Sequence, residues 1–129
     1  MQGIVYLDAC LTGLGAVHCN EIYHWKIPTC LQDCPIVVLE MFNILVAIKI
    51  WKNEWYSKSI QIFCDNEAVV TILKSGKTKD ELLAKIVRNI HMEAALADIF
   101  LYFTHISGEL NVIADTLEKL WITRKIRKN

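Results

Sequence analysis

Near the N terminus, the stretch Gly3 to Cys10, GIVYLDAC, is apolar on both faces and carries a single carboxylate, and no other segment restricts the fold so tightly. Ile4 and Tyr6 alternate with Val5, Leu7 and Ala9, so a strand here has no face to offer water. It belongs in the middle of a sheet covered by helices. By the two-residue period Asp8 shares the face of Ile4 and Tyr6, which aims it at a packed layer. A carboxylate there is expensive unless a cation or several hydrogen-bond donors meet it.

The same design recurs further on. Ser59 to Cys64, SIQIFC, is a second apolar strand that runs directly into an acid, Asp65, followed by Asn66. Between the two, Leu11-Thr12-Gly13 reads as a tight turn, and Leu14 to Cys19 and Glu21 to Trp25 as two more strands of a meander. Lys26 to Pro35 is irregular, with Pro28 and Pro35 as breakers. A helix is predicted from Ile36 to about Asn53, with Asp33 as its cap and Pro35 in its first turn. It is apolar nearly all round and therefore buried. Within it Glu40 lies among Val37, Val38, Leu39, Met41 and Phe42, where a glutamate needs a partner as much as Asp8 does.

Glu67 to Ser75 reads as a short helix ended by Gly76. Thr78 with Glu81 three residues on forms a capping box for a long amphipathic helix through Leu82, Leu83, Ile86, Val87, Ile90 and Ala94. Asp98 to Thr104, DIFLYFT, is the last strand. A loop from His105 to Asp115 then enters a final helix, with Asn111 as N-cap and Asp115 in the opening turns, where the helix dipole favours an ionised carboxylate. This order of elements implies an α/β domain with a mixed five-stranded sheet and helices on both faces. If the fourth strand pairs with the first in parallel, Asp8 and Asp65 become neighbours at strand ends. Glu40 and Asp115 can reach the same edge from two helix starts.

Four carboxylates in one crevice repel unless divalent cations join them. An all-oxygen donor set suits magnesium or manganese rather than zinc. Two such ions, about 3.5 to 4 Å apart, can activate a water and stabilise a leaving 3′ oxygen in a phosphodiester displacement.

Composition sets outer limits on this reading. The 129 residues make one domain, with a core of about 3–122 and a basic tail over 123–129. Lys plus Arg and Asp plus Glu are 14 each, so no overall field points to nucleic acid or membrane. The run TRKIRK near the C terminus reads first as a solvated tail and only second as a phosphate contact. A hydrophobic content of 53% and mean hydropathy of +0.29 are high for a free-standing soluble domain, which suggests surface docked on a neighbour. The longest apolar run, Ile44 to Ile48, is stopped by Lys49, so no membrane span is expected. With no charged-then-apolar leader, secretion is not expected, and a first strand so close to Met1 suggests an excised domain or a truncated frame. Five cysteines without a CxxC pair argue for reduced thiols in a cytosolic or nuclear compartment. A metal site from Cys30 and Cys34 with His18, Cys19 or His24 would lack the usual zinc spacing.

The stretches YLDACLTGLGAV around Asp8, VVLEMFNILVAIK around Glu40, IQIFCDNEAVV around Asp65 and HISGELNVIADTL around Asp115 carry a resemblance that spans Ile4 to Leu120. The chain resembles the ribonuclease H domain attached to reverse transcriptases, in wording those of DIRS-type and gypsy-type retroelements. Each motif alone is weak. The specific signal is four acids in the family order, a histidine ten residues before the last and an asparagine six after that histidine.

The resemblance implies a ribonuclease H-like fold with sheet order 3-2-1-4-5. It also implies a metal-dependent endonuclease that cuts the RNA strand of RNA–DNA hybrids, leaving 3′ hydroxyl and 5′ phosphate ends. By the family motif Asp8 would bridge two Mg2+ or Mn2+ ions, with Glu40 and Asp65 on one and Asp115 on the other. His105 would sit on a mobile loop and help proton transfer or product release. Asn66 and Asn111 are candidate contacts to the nucleic-acid strand, and an adjoining reverse transcriptase domain is the implied protein partner. Cys10 stands where related elements usually have serine, and TLEKLW replaces the common ending after the last acid. Neither departure removes a ligand, but the chain has no basic handle segment of the kind some cellular ribonucleases H use for grip.

Plainer readings stand beside these. Asp8 and Asp65 can each be a strand-end turn residue, Asp115 a complement to the helix dipole, His105 an ordinary loop histidine, Asn66 a turn residue and Asn111 a cap. Trp51, Trp55 and Tyr56 fit helix-end core or a docking surface better than a base-stacking platform. Competing functions are a catalytically silent docking or spacer module and a transposase, integrase or exonuclease core of the same fold. An actin-like ATPase fragment is disfavoured because no glycine-rich phosphate loop is present.

Overall fold

The computed structural model describes residues 2–10, 13–18, 21–31 and 33–106. In chain order these form β1 (Gln2–Cys10), β2 (Gly13–His18), β3 (Glu21–Lys26), a 3-10 turn (Thr29–Leu31), α1 (Ile36–Trp55), β4 (Ser59–Cys64), α2 (Glu67–Ser75), α3 (Glu81–Leu96) and β5 (Phe100–His105). The strands make one five-stranded sheet in the order β3-β2-β1-β4-β5. The first three strands are an antiparallel meander, while β4 joins β1 and β5 joins β4 in parallel through helical crossovers. β1 is therefore the central strand its two apolar faces required.

The core follows from the periods of the elements. Along β4 burial alternates, with Ile60, Ile62 and Cys64 inside and Ser59, Gln61 and Phe63 half-buried on the opposite face. The buried set packs with Val5 of β1, with Met41, Ile44, Ile48, Trp51 and Trp55 of α1, with Val69 and Leu73 of α2, and with Ile86, Val87 and Ile90 of α3. α1 crosses β1 and β2 and packs against α3. Burying one large aliphatic side chain is worth about 1.5–3 kcal/mol, and α1 supplies more buried apolar groups than any other described element, which is why it is apolar nearly all round. The helix expected to follow Asn111 lies outside the described residues.

Three local expectations are corrected. α1 is not capped by Asp33: Pro35 holds the N-cap position, no side chain caps the helix, and the Pro35 carbonyl accepts from the Val38 and Leu39 N–H groups at 3.0 and 3.2 Å. Asp33 lies two residues too early to reach those donors. α3 starts at Asp80, whose side chain accepts from Leu83 N–H at 2.9 Å, so the Thr78–Glu81 box does not form. Thr78 Oγ1 accepts from Asp80 N–H instead, closing a turn before the helix. The helix then buries Leu83, Ile86, Val87, Ile90 and Ala94 and leaves Leu82 exposed, because Leu82 falls off that stripe. Finally, β5 runs from Phe100 to His105 rather than Asp98 to Thr104. Asp98 has φ 54°, outside the strand region, and accepts from Ser57 Oγ at 3.1 Å.

Candidate functional site

The backbone brings two acids level. The parallel β1–β4 ladder registers Val5 with Ile62 and Tyr6 with Phe63. Asp8 and Asp65 each lie two residues beyond that last pair on adjacent strands, whose chains run roughly 4.8 Å apart. β4 ends at Cys64, so Asp65 begins the turn into α2, whereas β1 continues and pairs Asp8 with Gly15 of β2.

The helix α1 is fastened at the same level. Asn43, fully buried, donates from Nδ2 to the Gly15 carbonyl at 2.7 Å. Because Gly15 is the ladder partner of Asp8, this bond sets the first turns of α1 beside the acid-bearing end of β1. Glu40 lies three residues before Asn43, on the same helical face. Its carboxylate oxygens, the Asp65 carboxylate and the Cys64 thiol place one ligand atom each within 4.8 Å of one another. Glu40 is only 9% exposed.

Two ionised carboxylates at that separation repel by about 3.5 kcal/mol or more at an effective dielectric of about 20. A divalent cation reverses the sign of that interaction. The donor set fits one: oxygen-rich enough for magnesium or manganese, with a sulfur at the edge of the group. Among the described residues this is the sole cluster of three metal-capable side chains.

The remaining sequence candidates divide. His105 is brought to the site, but not on a loop: it is the last residue of β5, registered with Cys64, and its Nε2–H donates to the Asp65 carbonyl at 3.2 Å. The pairing of β5 with β4 carries the ladder one residue further than expected. Asn66 is the N-cap of α2, its Oδ1 accepting from Ala68 and Val69 N–H at 3.0 and 3.3 Å, which orients the turn holding Asp65. Asp115 and Asn111 lie outside the described residues. Trp51 and Trp55 are core, not a stacking platform, and Tyr56 is exposed. His18, disfavoured as a metal ligand beside Cys30 and Cys34, is buried against both tryptophans and accepts from Trp55 Nε1–H at 3.0 Å.

Sequence reasoning missed two residues. Cys64 was legible as an inward position of β4, but its proximity to Glu40 depends on the helix. Asn43 carried a signal in hindsight, a polar side chain on the buried face of an apolar helix one turn after Glu40.

A family model described as reverse transcriptase-like matches residues 5–120. Solved structures similar to this one include ribonuclease H1 from the halophilic archaeon Halobacterium salinarum, at TM-score 0.72 and 16% identity over 91% of this chain and 94% of that one. The N-terminal ribonuclease H domain of a Mycobacterium tuberculosis protein matches at TM-score 0.65 and 14% identity, covering 91% and 95%. A ribonuclease H1 isolated from compost, solved in complex with an RNA/DNA hybrid, matches at TM-score 0.66 and 18% identity, covering 89% and 92%. No curated protein matches the sequence.

Proposed function

The chain belongs to the reverse transcriptase-like family and is a ribonuclease H-like domain, and from that premise we propose that it is a metal-dependent endonuclease hydrolysing the RNA strand of RNA–DNA hybrids. Its setting in this reading is the ribonuclease H domain of a retroelement reverse transcriptase polyprotein, acting inside the cell beside the polymerase domain. No helix among the described residues is long and apolar enough to cross a membrane. The observation that carries the reading is the approach of Glu40 to Asp65 at the end of β4, level with Asp8 on the neighbouring strand.

Glu40 and Asp65 would hold one divalent cation, Asp8 would bridge it to a second, and Asp115 would complete the set, following the family motif. Bound Mg2+ or Mn2+ supplies an activated water and charge stabilisation for the leaving 3′ oxygen. The chain's own contribution is placement. Asn43 fixes α1 against the strand that bears Asp8, Asn66 fixes the turn that bears Asp65, and His105 ties the end of β5 to the Asp65 carbonyl. Asn66 and Asn111 remain candidate strand contacts, Asn66 with the part of its amide not used in capping.

The test is a cleavage assay with RNA labelled in a hybrid, in double-stranded RNA and as a single strand, alongside duplex DNA, with magnesium omitted in one series. Cutting of the hybrid alone, dependent on metal and abolished by Asp65→Asn or Asp8→Asn, is the expected result. Magnesium binding without cleavage would replace the enzyme by a silent docking module. Cutting of duplex DNA would move the chain to the integrase side of the fold.

A further inference from the structure

We propose that Cys64 gives the cation site at the end of β4 a second specificity, for thiophilic divalent ions of the zinc and cadmium class, bound through one thiolate and the carboxylates of Glu40 and Asp65. The inference rests on the metal-binding role proposed for those two acids, and adds to it a competing ligand class.

A cysteine at an inward strand position is ordinarily core, and most of Cys64 is: it is 3% exposed and packs with the main cluster. Its placement at the last residue of β4 makes the difference. The strand's alternation turns residue 64 toward the helix layer, the next residue is Asp65, and α1 delivers Glu40 to the same point. The three ligand atoms then fall within 4.8 Å of one another. Bonds of roughly 2.3 Å to sulfur and 2.1 Å to oxygen hold two ligands of one tetrahedral zinc ion about 3.6 Å apart. The trio therefore closes on an ion by side-chain movements of up to about 1 Å, within reach of side-chain torsions.

Donor softness decides which ion profits. Magnesium gains nothing from sulfur and keeps to oxygen and water, whereas zinc and cadmium prefer thiolate to carboxylate. When such an ion binds, the Cys64 S–H proton passes to buffer, a sulfur–metal bond forms, and no electrons are transferred. Glu40 and Asp65 are then committed to an ion with the wrong ligand set for the proposed hydrolysis. Thiophilic ions should inhibit where magnesium activates.

Titration of the full, reduced chain with cadmium tests this through the thiolate-to-cadmium charge-transfer absorption, a readout independent of cleavage. The first equivalent should produce the band and bind at least tenfold more tightly than in Cys64→Ser, with circular dichroism confirming that the variant folds. Glu40→Gln leaves the thiol in place and should also weaken cadmium binding tenfold or more. That second variant separates this site from the other four cysteines and serves if Cys64→Ser does not fold. A missing band in the parent chain overturns the inference, as does affinity undiminished in either folded variant. A chain that cleaves hybrid with magnesium yet shows no cadmium band loses only this inference. One that shows the band and its losses but cleaves nothing loses only the nuclease reading.

Discussion

The two ends of α1 each bury polar side chains, and they do so in opposite ways. At the C-terminal end donor meets acceptor: the Trp55 indole N–H bonds His18 Nε2 at 3.0 Å, with Trp51 packed against the same imidazole. At the N-terminal end like meets like, the Glu40 and Asp65 carboxylates converging beside the Cys64 thiol. The first arrangement is complete within the protein and stabilises it. In the second, two carboxylates repel one another, and a cation between them would reverse that interaction. In the proposed reading one helix carries structure at one end and the cation site at the other.

The contrast can be broken at several points. Trp55→Ala should have the largest effect, a loss of about 3–5 kcal/mol from a fully buried aromatic, read as a lower denaturation midpoint with or without magnesium. His18→Leu should cost about 1–3 kcal/mol by leaving the indole N–H buried without its acceptor, again independent of metal. Asn43→Ala should cost a similar amount by removing the buried hydrogen bond to the Gly15 carbonyl. Unlike His18→Leu, it should also weaken magnesium binding, because Asn43 holds α1 against the acid-bearing strand. Asn66→Ala should cost about 1 kcal/mol as a lost N-cap, with a drop in hybrid cleavage from a less ordered Asp65. Lys49→Ala should change stability by less than about 0.5 kcal/mol, since its pair with Glu93 at 3.4 Å is largely exposed.

Much of this was readable in advance because hydrophobic period is a local property. The alternation of SIQIFC gave β4 its bounds, and the stripe of EAVVTILKS with Gly76 behind it gave α2 both ends, the glycine adopting φ 71° as a left-handed cap. Caps were less legible. Thr78 and Asp80 are both competent acceptors, and which one starts α3 depends on where the chain enters the helix layer. His105 was misplaced for a related reason: the ladder partner that extends β5 by one residue is Cys64, forty-one positions earlier. The acids were legible as costly residues, and the adjacency of β1 and β4 followed from topology. Cys64 and Asn43 were not, since their roles exist only once α1 lies across the sheet.

The most direct test of the central contrast is the magnesium dependence of thermal unfolding, compared between the parent chain, Glu40→Gln and His18→Leu. At a magnesium concentration ten times the dissociation constant, the parent should gain about 1.4 kcal/mol, a rise of about 5 °C. His18→Leu should melt lower yet keep the whole of that rise, while Glu40→Gln should lose it. A rise that survives in Glu40→Gln, or no rise in the parent, would contradict the assignment of this end of α1 to a cation.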